Sequence, residues 1–257
     1  MRIFSLWLLL LLGTSLLSNE HSFRKYNHVK KFYAAIIKDA IKICKDNNLP
    51  PAAVLAIAGL ESGYGSGYVA QITGNILSLG AFKSDKELPA LYLPYSSSKQ
   101  RILFDPNIIN KLPKSDLSYK KRAKSYKRDY RPLKYAGTKI NLELLKYNKE
   151  LRLKAHRACL TDFSTRWIRY KSNKKVFKEL KIWTDKQIKM KSIDTLYSHE
   201  TNLGFIDRIG GVPHSFNYRK SWPKKVKLVM RKVGLIELIN DIDKKNMSFK
   251  EAWERKN

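Results

Sequence analysis

One carboxylate of this chain stands where an apolar helix is expected to meet a glycine-rich stretch. Apolar residues fill positions 52–58, Glu61 follows them, and Gly63 comes two residues later. A helix that is apolar nearly all round is predicted to be buried, and its C-terminus is the negative end of the helix dipole. Both surroundings favour the protonated form of Glu61. A carboxylic acid that keeps its proton can protonate the leaving oxygen of a glycosidic bond.

Local signals set both ends of the helix that would hold Glu61. Pro50 and Pro51 favour a start, because proline is tolerated in the first helical turn. Gly63 favours an end, because glycine adopts the left-handed conformation of a C′ residue without steric cost. A glutamate at such a place can also simply point to water, but its apolar neighbours and the glycines around it favour a functional role. We expect Ser62 to brace the turn rather than to contact a substrate.

The stretch around Glu61 resembles the signature of a known family. It reads Leu-Glu-Ser-Gly-Tyr-Gly at 60–65 and Gly-Asn-Ile-Leu at 74–77. This is similar to bacterial glucosaminidase-type peptidoglycan hydrolases, the mannosyl-glycoprotein endo-β-N-acetylglucosaminidase-like domains of the lysozyme-like superfamily. The similarity is good over 49–80 and patchy beyond. It implies a mainly α, lysozyme-like helical domain with a small β or loop lobe, and it places Glu61 in the family's general-acid position.

The same resemblance suggests substrate-binding residues. Asn75 falls on the family's Asn after the helix, although Ile-Leu-Ser-Leu-Gly at 76–80 replaces the usual Leu-Phe-Gly-Ile-Lys. Tyr197, with Phe205 after it, fits a tyrosine that lines the family's cleft near the scissile sugar. The alternative is a tyrosine that packs its ring and bonds a loop carbonyl. Because sugar rings stack on aromatic side chains and N-acetyl groups bond amides, we predict Tyr64, Asn75 and Tyr197 as substrate-binding residues.

Glycosidic cleavage usually takes a second carboxyl group, which acts as a base or a nucleophile. In the family that this chain resembles, it lies on a mobile lobe a few tens of residues downstream. We choose Glu87 for this role beside Glu61. The acetamido group of N-acetylglucosamine is the alternative, because it can serve as an internal nucleophile. The other candidates are Asp85, Asp105, Asp116 and, next to Tyr197, Glu200.

The chain is predicted to consist of an export signal and one domain. Residues 1–18 hold Arg2 and a charge-free run from 3 to 12, which is typical of a secretory signal peptide and short for a membrane span. An uncleaved anchor is the alternative. We assign 19–257 to a glucosaminidase-like catalytic domain with a basic insertion at about 99–137. The cations and tyrosines of this insertion indicate either a solvated lobe or a surface that stacks on sugars or bases.

Apolar periodicity predicts the helices around the site. We expect an amphipathic helix over 28–47, a second helix over 138–157, and a helical stripe over 224–245 that closes the core. Weak periodicity over 66–93 favours short strands or a loop platform. Tyr170 and Ser172 resemble a Tyr-x-Ser that opens a helix in the family, with Ser172 as a credible N-cap.

Charge and cysteine content limit the partners. The net charge of +29 favours an anionic partner such as an acidic lipid or cell-wall polymer, unless it reflects only a solvated surface. The export signal argues against nucleic acid. Cys44 and Cys159 are the only cysteines, and they either pair in an oxidising compartment or stay buried thiols. No zinc or redox spacing is present, so we assign no metal and no cofactor.

We therefore predict an exported peptidoglycan hydrolase that cleaves cell-wall glycan strands with Glu61 as general acid. Its location would be periplasmic or secreted, and its partners would be peptidoglycan and anionic envelope polymers, with at most a peripheral or N-terminal membrane association. A lytic transglycosylase is the nearest alternative, although that family follows its Glu with Gly-Leu-Met-Gln, and this chain has Asn-Ile-Leu-Ser at 75–78. A non-catalytic envelope-binding protein is the other alternative.

Overall fold

The helix that ends beside Gly63 lies at the centre of the fold. The computed structural model describes residues 21–123, 129–171 and 175–255. After a short 3₁₀ turn, helix α1 spans Asn27–Asp46 and helix α2 spans Pro51–Ser62. All residues of α2 from 51 to 59 are buried, because their side chains are apolar on every face of the helix.

A small antiparallel sheet follows α2. The short helix α3 (Tyr68–Thr73) leads towards strands β1 (Tyr92–Ser96), β2 (Arg101–Ile102) and β3 (Leu117–Lys121). The strands pair in the order β2–β1–β3. A one-turn helix, α4 (Pro106–Ile109), connects β2 to β3. We call residues 91–121 the β lobe.

The β lobe has its own small core. Tyr95 of β1 lies opposite Ile102 in one ladder and opposite Ser118 in the other. The buried side chains of this core come from α3 and from the β lobe, so the two are packed together: Tyr68, Ile72, Leu91, Leu93, Leu103 and Ile109. The packing of α3 against the lobe brings the lobe close to the end of α2.

A series of helices then returns to the main core. These are α5 (Leu144–Tyr147), α6 (Lys149–Thr161), a π-helical segment (Asp162–Trp167), α7 (Ile168–Lys171) and α8 (Lys175–Lys191). Asn148 separates α5 from α6 and caps α6, because its Oδ1 accepts from the Leu151 N–H at 2.9 Å. Helix α6 continues without a break into the π-helical segment. This continuation places Phe163 in the core.

The C-terminal third closes the main core around α2. A 3₁₀ turn at Ile193–Tyr197 precedes α9 (His199–Ile209), α10 (Trp222–Val233), α11 (Leu235–Asp243) and α12 (Phe249–Glu254). Both α9 and α10 pack against α2. Gly234 separates α10 from α11 with a φ of +66°, a conformation that glycine adopts without strain.

Most of the predicted elements are confirmed, and the fold is mainly helical with a small three-stranded sheet. The helix predicted over 28–47 is α1, and α2 begins and ends where the prolines and Gly63 indicate. The stripe over 224–245 is buried as expected but belongs to two helices. The prediction for 138–157 is wrong at its start, because 138–143 is not helical and Ile140 is exposed.

The predicted basic insertion at about 99–137 supplies strands β2 and β3 and helix α4. It is therefore part of a folded β lobe over the portions that are described. The predicted signal peptide at 1–18 and the predicted N-cap Ser172 lie outside the described residues.

Candidate active site

Glu61 lies in the last turn of α2, at the edge of a cleft. Gly63 ends the helix with a φ of +56°. Ser62 braces the turn as expected, since its hydroxyl donates to the Ala58 carbonyl at 2.6 Å and accepts from the Gly65 N–H at 2.9 Å. The Glu61 side chain is only partly buried. It is therefore accessible from the cleft, although the helix before it is not.

An indole from α10 fixes the Glu61 carboxyl group. Trp222 Nε1 donates to Glu61 Oε1 at 2.7 Å. The indole is buried, lies against the Gly210 backbone so closely that a Cβ would not fit there, and has its ring 5.5 Å from that of Phe216. Among the residues that the structure describes, Glu61 Oε2 has no hydrogen-bond partner. One carboxyl oxygen is thus held in place, and the other is available to a ligand.

The cleft beside Glu61 has a volume of about 360 Å³, which is within the range of small-ligand sites. It lies between the end of α2, helix α3, the segment 75–80 and the β lobe. Its walls include an exposed aromatic ring and several polar side chains: Glu61, Ser62, Tyr68, Asn75, Phe104, Arg122, Asp129 and Tyr130. Of the predicted site residues, only Glu61 and Asn75 line this cleft.

Asn75 braces the wall of the cleft. Its Nδ2 donates to the Leu79 carbonyl and its Oδ1 accepts from the Leu79 N–H, each at 2.9 Å. The Cys159 thiol also donates to Oδ1, at 3.6 Å. Because both ends of the amide bond the protein, Asn75 holds the segment 75–79 in shape. Its predicted role as a direct contact for an N-acetyl group is not supported by this arrangement.

Tyr64, which was predicted to bind substrate, does not line the cleft beside Glu61. Tyr64 adopts a φ of +56°, and its ring turns towards α1, where it lies 6.3 Å from Phe32 and 6.0 Å from Tyr33 between ring centroids. Gly59 allows this packing, because a Cβ there would meet both tyrosines. Burial raises the pKa of Tyr64 to about 12. Tyr64 therefore anchors the turn after α2 to α1.

The expectation that Tyr197 lines the cleft is also wrong. Its ring is buried in the main core, and its hydroxyl donates to Asp243 Oδ2 at 2.6 Å. Burial, with the Asp243 carboxylate as a further cause, raises the pKa of Tyr197 well above its ordinary value. The alternative prediction was a tyrosine that packs its ring and bonds a loop carbonyl. The structure supports this alternative, but the partner of the hydroxyl is the Asp243 carboxylate.

The structure does not bring Glu87 to Glu61. Glu87 is exposed, and it does not line the cleft. Three other candidates for the second carboxyl group have local structural partners. Asp85 pairs with Arg166, Asp105 caps α4, and Asp116 accepts hydrogen bonds from Ser96 and Ser98. Glu200 pairs with Lys191 at 2.6 Å.

Asp129 is the second carboxylate of the cleft, and the sequence prediction missed it. It forms an ion pair with Arg122 at 2.5 Å and an antiparallel bridge with Gly80. The next residue is also fixed, since the Tyr130 hydroxyl donates to Asp162 Oδ2 at 2.7 Å. A signal was present in the sequence, because Asp129 is the lone acid between 117 and 142 in a stretch rich in lysine, arginine and tyrosine.

Phe104 was also missed. Its side chain lines the cleft and is 50% exposed, so its ring is accessible to a ligand. It follows β2 in a segment that carries no local motif. Trp222, the partner of Glu61, has no local signal either, because 161 residues separate the two in the chain.

The cysteines do not form a disulfide, and the described residues form no metal site. Cys44 and Cys159 are both buried free thiols, so they do not pair. Burial raises the pKa of Cys159 to about 12. Over 21–123, 129–171 and 175–255, no group of three or more histidine, cysteine or acidic side chains could hold a metal ion.

Comparison with known proteins does not assign the chain to a family. No family model, no curated protein and no solved structure matches the chain. Every helix in the described part of the chain is too short or too polar to span a lipid bilayer.

Proposed function

We propose that this protein is an exported peptidoglycan hydrolase of lysozyme-like architecture. In this proposal it is an endo-β-N-acetylglucosaminidase, and Glu61 is the general acid that protonates the leaving oxygen. The observation that carries the proposal is the Glu61 carboxyl group, which has Oε1 held by Trp222 and Oε2 open at the edge of a cleft. Export is inferred from the signal-like sequence of residues 1–18.

The walls of the cleft suit a sugar polymer. Phe104 offers an exposed ring on which a sugar face can stack, and Arg122 and Asp129 offer charged hydrogen-bonding groups for hydroxyl and acetamido substituents. The net charge of +29 favours attraction to an anionic envelope. A glycan strand that crosses the cleft would contact all three side chains while its scissile bond lies at Glu61.

Displacement at the anomeric carbon has two routes. In one, Asp129 acts as base or nucleophile, which requires its carboxylate to leave the ion pair with Arg122. In the other, the acetamido oxygen of the substrate attacks its own anomeric carbon while the glycosidic C–O bond breaks and the leaving oxygen takes the proton of Glu61. Water then opens the cyclic intermediate and gives a proton back to Glu61, and Asp129 only orients Arg122. The existing ion pair at 2.5 Å favours the second route, because in that route the Asp129 carboxylate stays with Arg122.

A lytic transglycosylase is the second candidate, because such an enzyme cleaves glycan strands with one catalytic carboxyl group. The pairing of Asp129 with Arg122 leaves Glu61 as the one carboxylate of the described cleft that no cation neutralises. The two candidates differ in their products. A glucosaminidase releases fragments with reducing N-acetylglucosamine ends, and a transglycosylase releases fragments with anhydro-muramyl ends.

Digestion of purified sacculi tests the proposal and separates the candidates. The wild-type protein is incubated with sacculi, and the masses of the soluble fragments are measured by mass spectrometry. We expect reducing N-acetylglucosamine ends from the wild type and no fragments from Glu61→Gln. Glu87→Gln is the matched control, because Glu87 is an exposed glutamate outside the cleft. Anhydro-muramyl ends would contradict the glucosaminidase assignment, and sacculus binding without any release by the wild type would contradict enzymatic activity.

A further inference from the structure

A second and larger groove lies away from Glu61, beside α9, α10 and the start of α11. Its volume is about 880 Å³. Leu203, Met230 and Ile236 form part of its apolar lining. Two further apolar residues of the lining, Val212 and Leu228, are 44% and 40% exposed. Nothing in the proposed glycosidase uses this groove.

The rim of the groove carries four cations, which outnumber the two carboxylates that line it, Asp207 and Glu237. Lys220, Lys224, Lys227 and Arg231 line it at spacings of four, three and four residues, which places those on α10 along one face of the helix. Lys227 pairs with Asp207 at 2.5 Å. The part of the chain that the structure describes places no carboxylate within 4 Å of the other three cations. These three charges are therefore available to an anionic partner.

The groove also lies where the N-terminal segment joins the described fold. His21 lines one end of it, packs over Gly234, and has its Nε2 3.9 Å from Glu237. Twenty residues precede His21, including the charge-free run over 3–12. If that run is inserted in a membrane, during export or as an anchor, the eight residues from 13 to 20 allow His21 to lie at most about 30 Å from it. The groove would then be close to the lipid surface.

We propose that this groove docks on an anionic phospholipid surface. The three unpaired cations would bind lipid phosphates, and Leu228 and Val212 would enter the apolar layer beneath the headgroups, as in interfacial helices. The N-terminal segment of the chain itself is a poorer occupant. Residues 1–20 contain one arginine and one glutamate, so they offer no net negative charge to the rim. The inference is independent of the proposed glycosidase.

A label at the groove tests this proposal in the full chain. Leu228→Cys is modified with an environment-sensitive fluorophore, which the buried native thiols do not take up in the folded protein. The labelled protein is titrated with vesicles of phosphatidylcholine alone or with one quarter phosphatidylglycerol. We expect the emission at position 228 to shift to shorter wavelength with the anionic vesicles only. The same label on Ile182→Cys, an exposed position of α8, should not shift.

Two triple variants distinguish binding through the groove from binding through general surface charge. Lys220→Gln/Lys224→Gln/Arg231→Gln removes the three unpaired cations of the rim. Each cation at an anionic surface contributes about fivefold in affinity. The vesicle concentration for half-maximal shift should therefore rise about 100-fold. The matched control removes three exposed lysines of α8 and the same net charge, and it should change that concentration less than about threefold: Lys178→Gln/Lys186→Gln/Lys189→Gln.

Three results would overturn the proposal. Equal losses in the two triple variants would mean that binding follows net charge and not this groove. Vesicle binding without any change at the position 228 label would mean that the contact lies elsewhere. A label that is already in an apolar environment before vesicles are added would mean that the segment 1–20 occupies the groove. None of these results bears on whether the protein digests sacculi, so the proposed function is tested separately.

Discussion

Replacement of Trp222 by phenylalanine tests how the structure positions Glu61. The variant removes the Nε1–H that donates to Glu61 Oε1 at 2.7 Å, and it keeps an aromatic ring against Gly210. A hydrogen bond between neutral groups, as with the protonated general acid, is worth about 0.5–1.5 kcal/mol. If that energy holds the carboxyl group in its reactive orientation, the maximal rate on sacculi should fall about 2- to 13-fold. The sacculus concentration for half-maximal rate should change little, because Trp222 does not line the cleft.

The control for this prediction is Trp183→Phe. Trp183 also lies against a glycine, Gly204, and it stacks with Arg208 at 4.2 Å, but it has no contact with Glu61. Each tryptophan variant loses part of an indole from a packed site, so each should lower the free energy of unfolding by about 1–3 kcal/mol. Thermal unfolding confirms that both variants fold. A folded Trp222→Phe protein with the wild-type rate would refute the positioning role of Trp222.

Three further predictions concern stability and reactivity. Asn75→Ala should lower the free energy of unfolding in urea by about 2–4 kcal/mol, because the buried N–H and carbonyl of Leu79 lose their partners; an unchanged midpoint would contradict the bracing role. Cys44 and Cys159 should react with a thiol reagent only after unfolding, and a reductant should leave the melting temperature unchanged. Burial, with Arg152 as a further cause, lowers the pKa of His156 to about 4, below the ordinary value of about 6.5. The unfolded chain therefore binds more protons between these values, and His156 should cost up to about 3 kcal/mol of stability as the pH falls from 6.5 to 4; His156→Phe should remove that slope.

The sequence was sufficient to predict α2 and the place of Glu61 because their determinants are local. Two prolines start the helix, a left-handed glycine ends it, and the apolar residues between them require burial. The same holds for α1, whose apolar stripe is continuous. The helix predicted over 138–157 failed at its start, because Asn148 begins a new helix and Ile140 is left in solvent.

The rest of the site depends on contacts between distant parts of the chain. Trp222 reaches Glu61 across 161 residues, and no motif near either residue indicates the pair. Asp129 enters the cleft because Gly80 and Arg122 hold it there. Tyr197 looked like a cleft residue, but its hydroxyl finds Asp243 in the core. Residue type alone does not tell a sugar-binding tyrosine from a packed one, because both present an apolar ring and a polar tip.

Release of soluble fragments from sacculi by Glu61→Gln is the most direct test of the account. The substitution keeps the size of the side chain and an acceptor oxygen for Trp222, so the fold and sacculus binding should persist. The account predicts that Glu61→Gln binds sacculi as the wild type does and releases no muropeptides, while Glu87→Gln releases them at the wild-type rate. Wild-type release by Glu61→Gln would contradict the assignment of Glu61 as the proton donor.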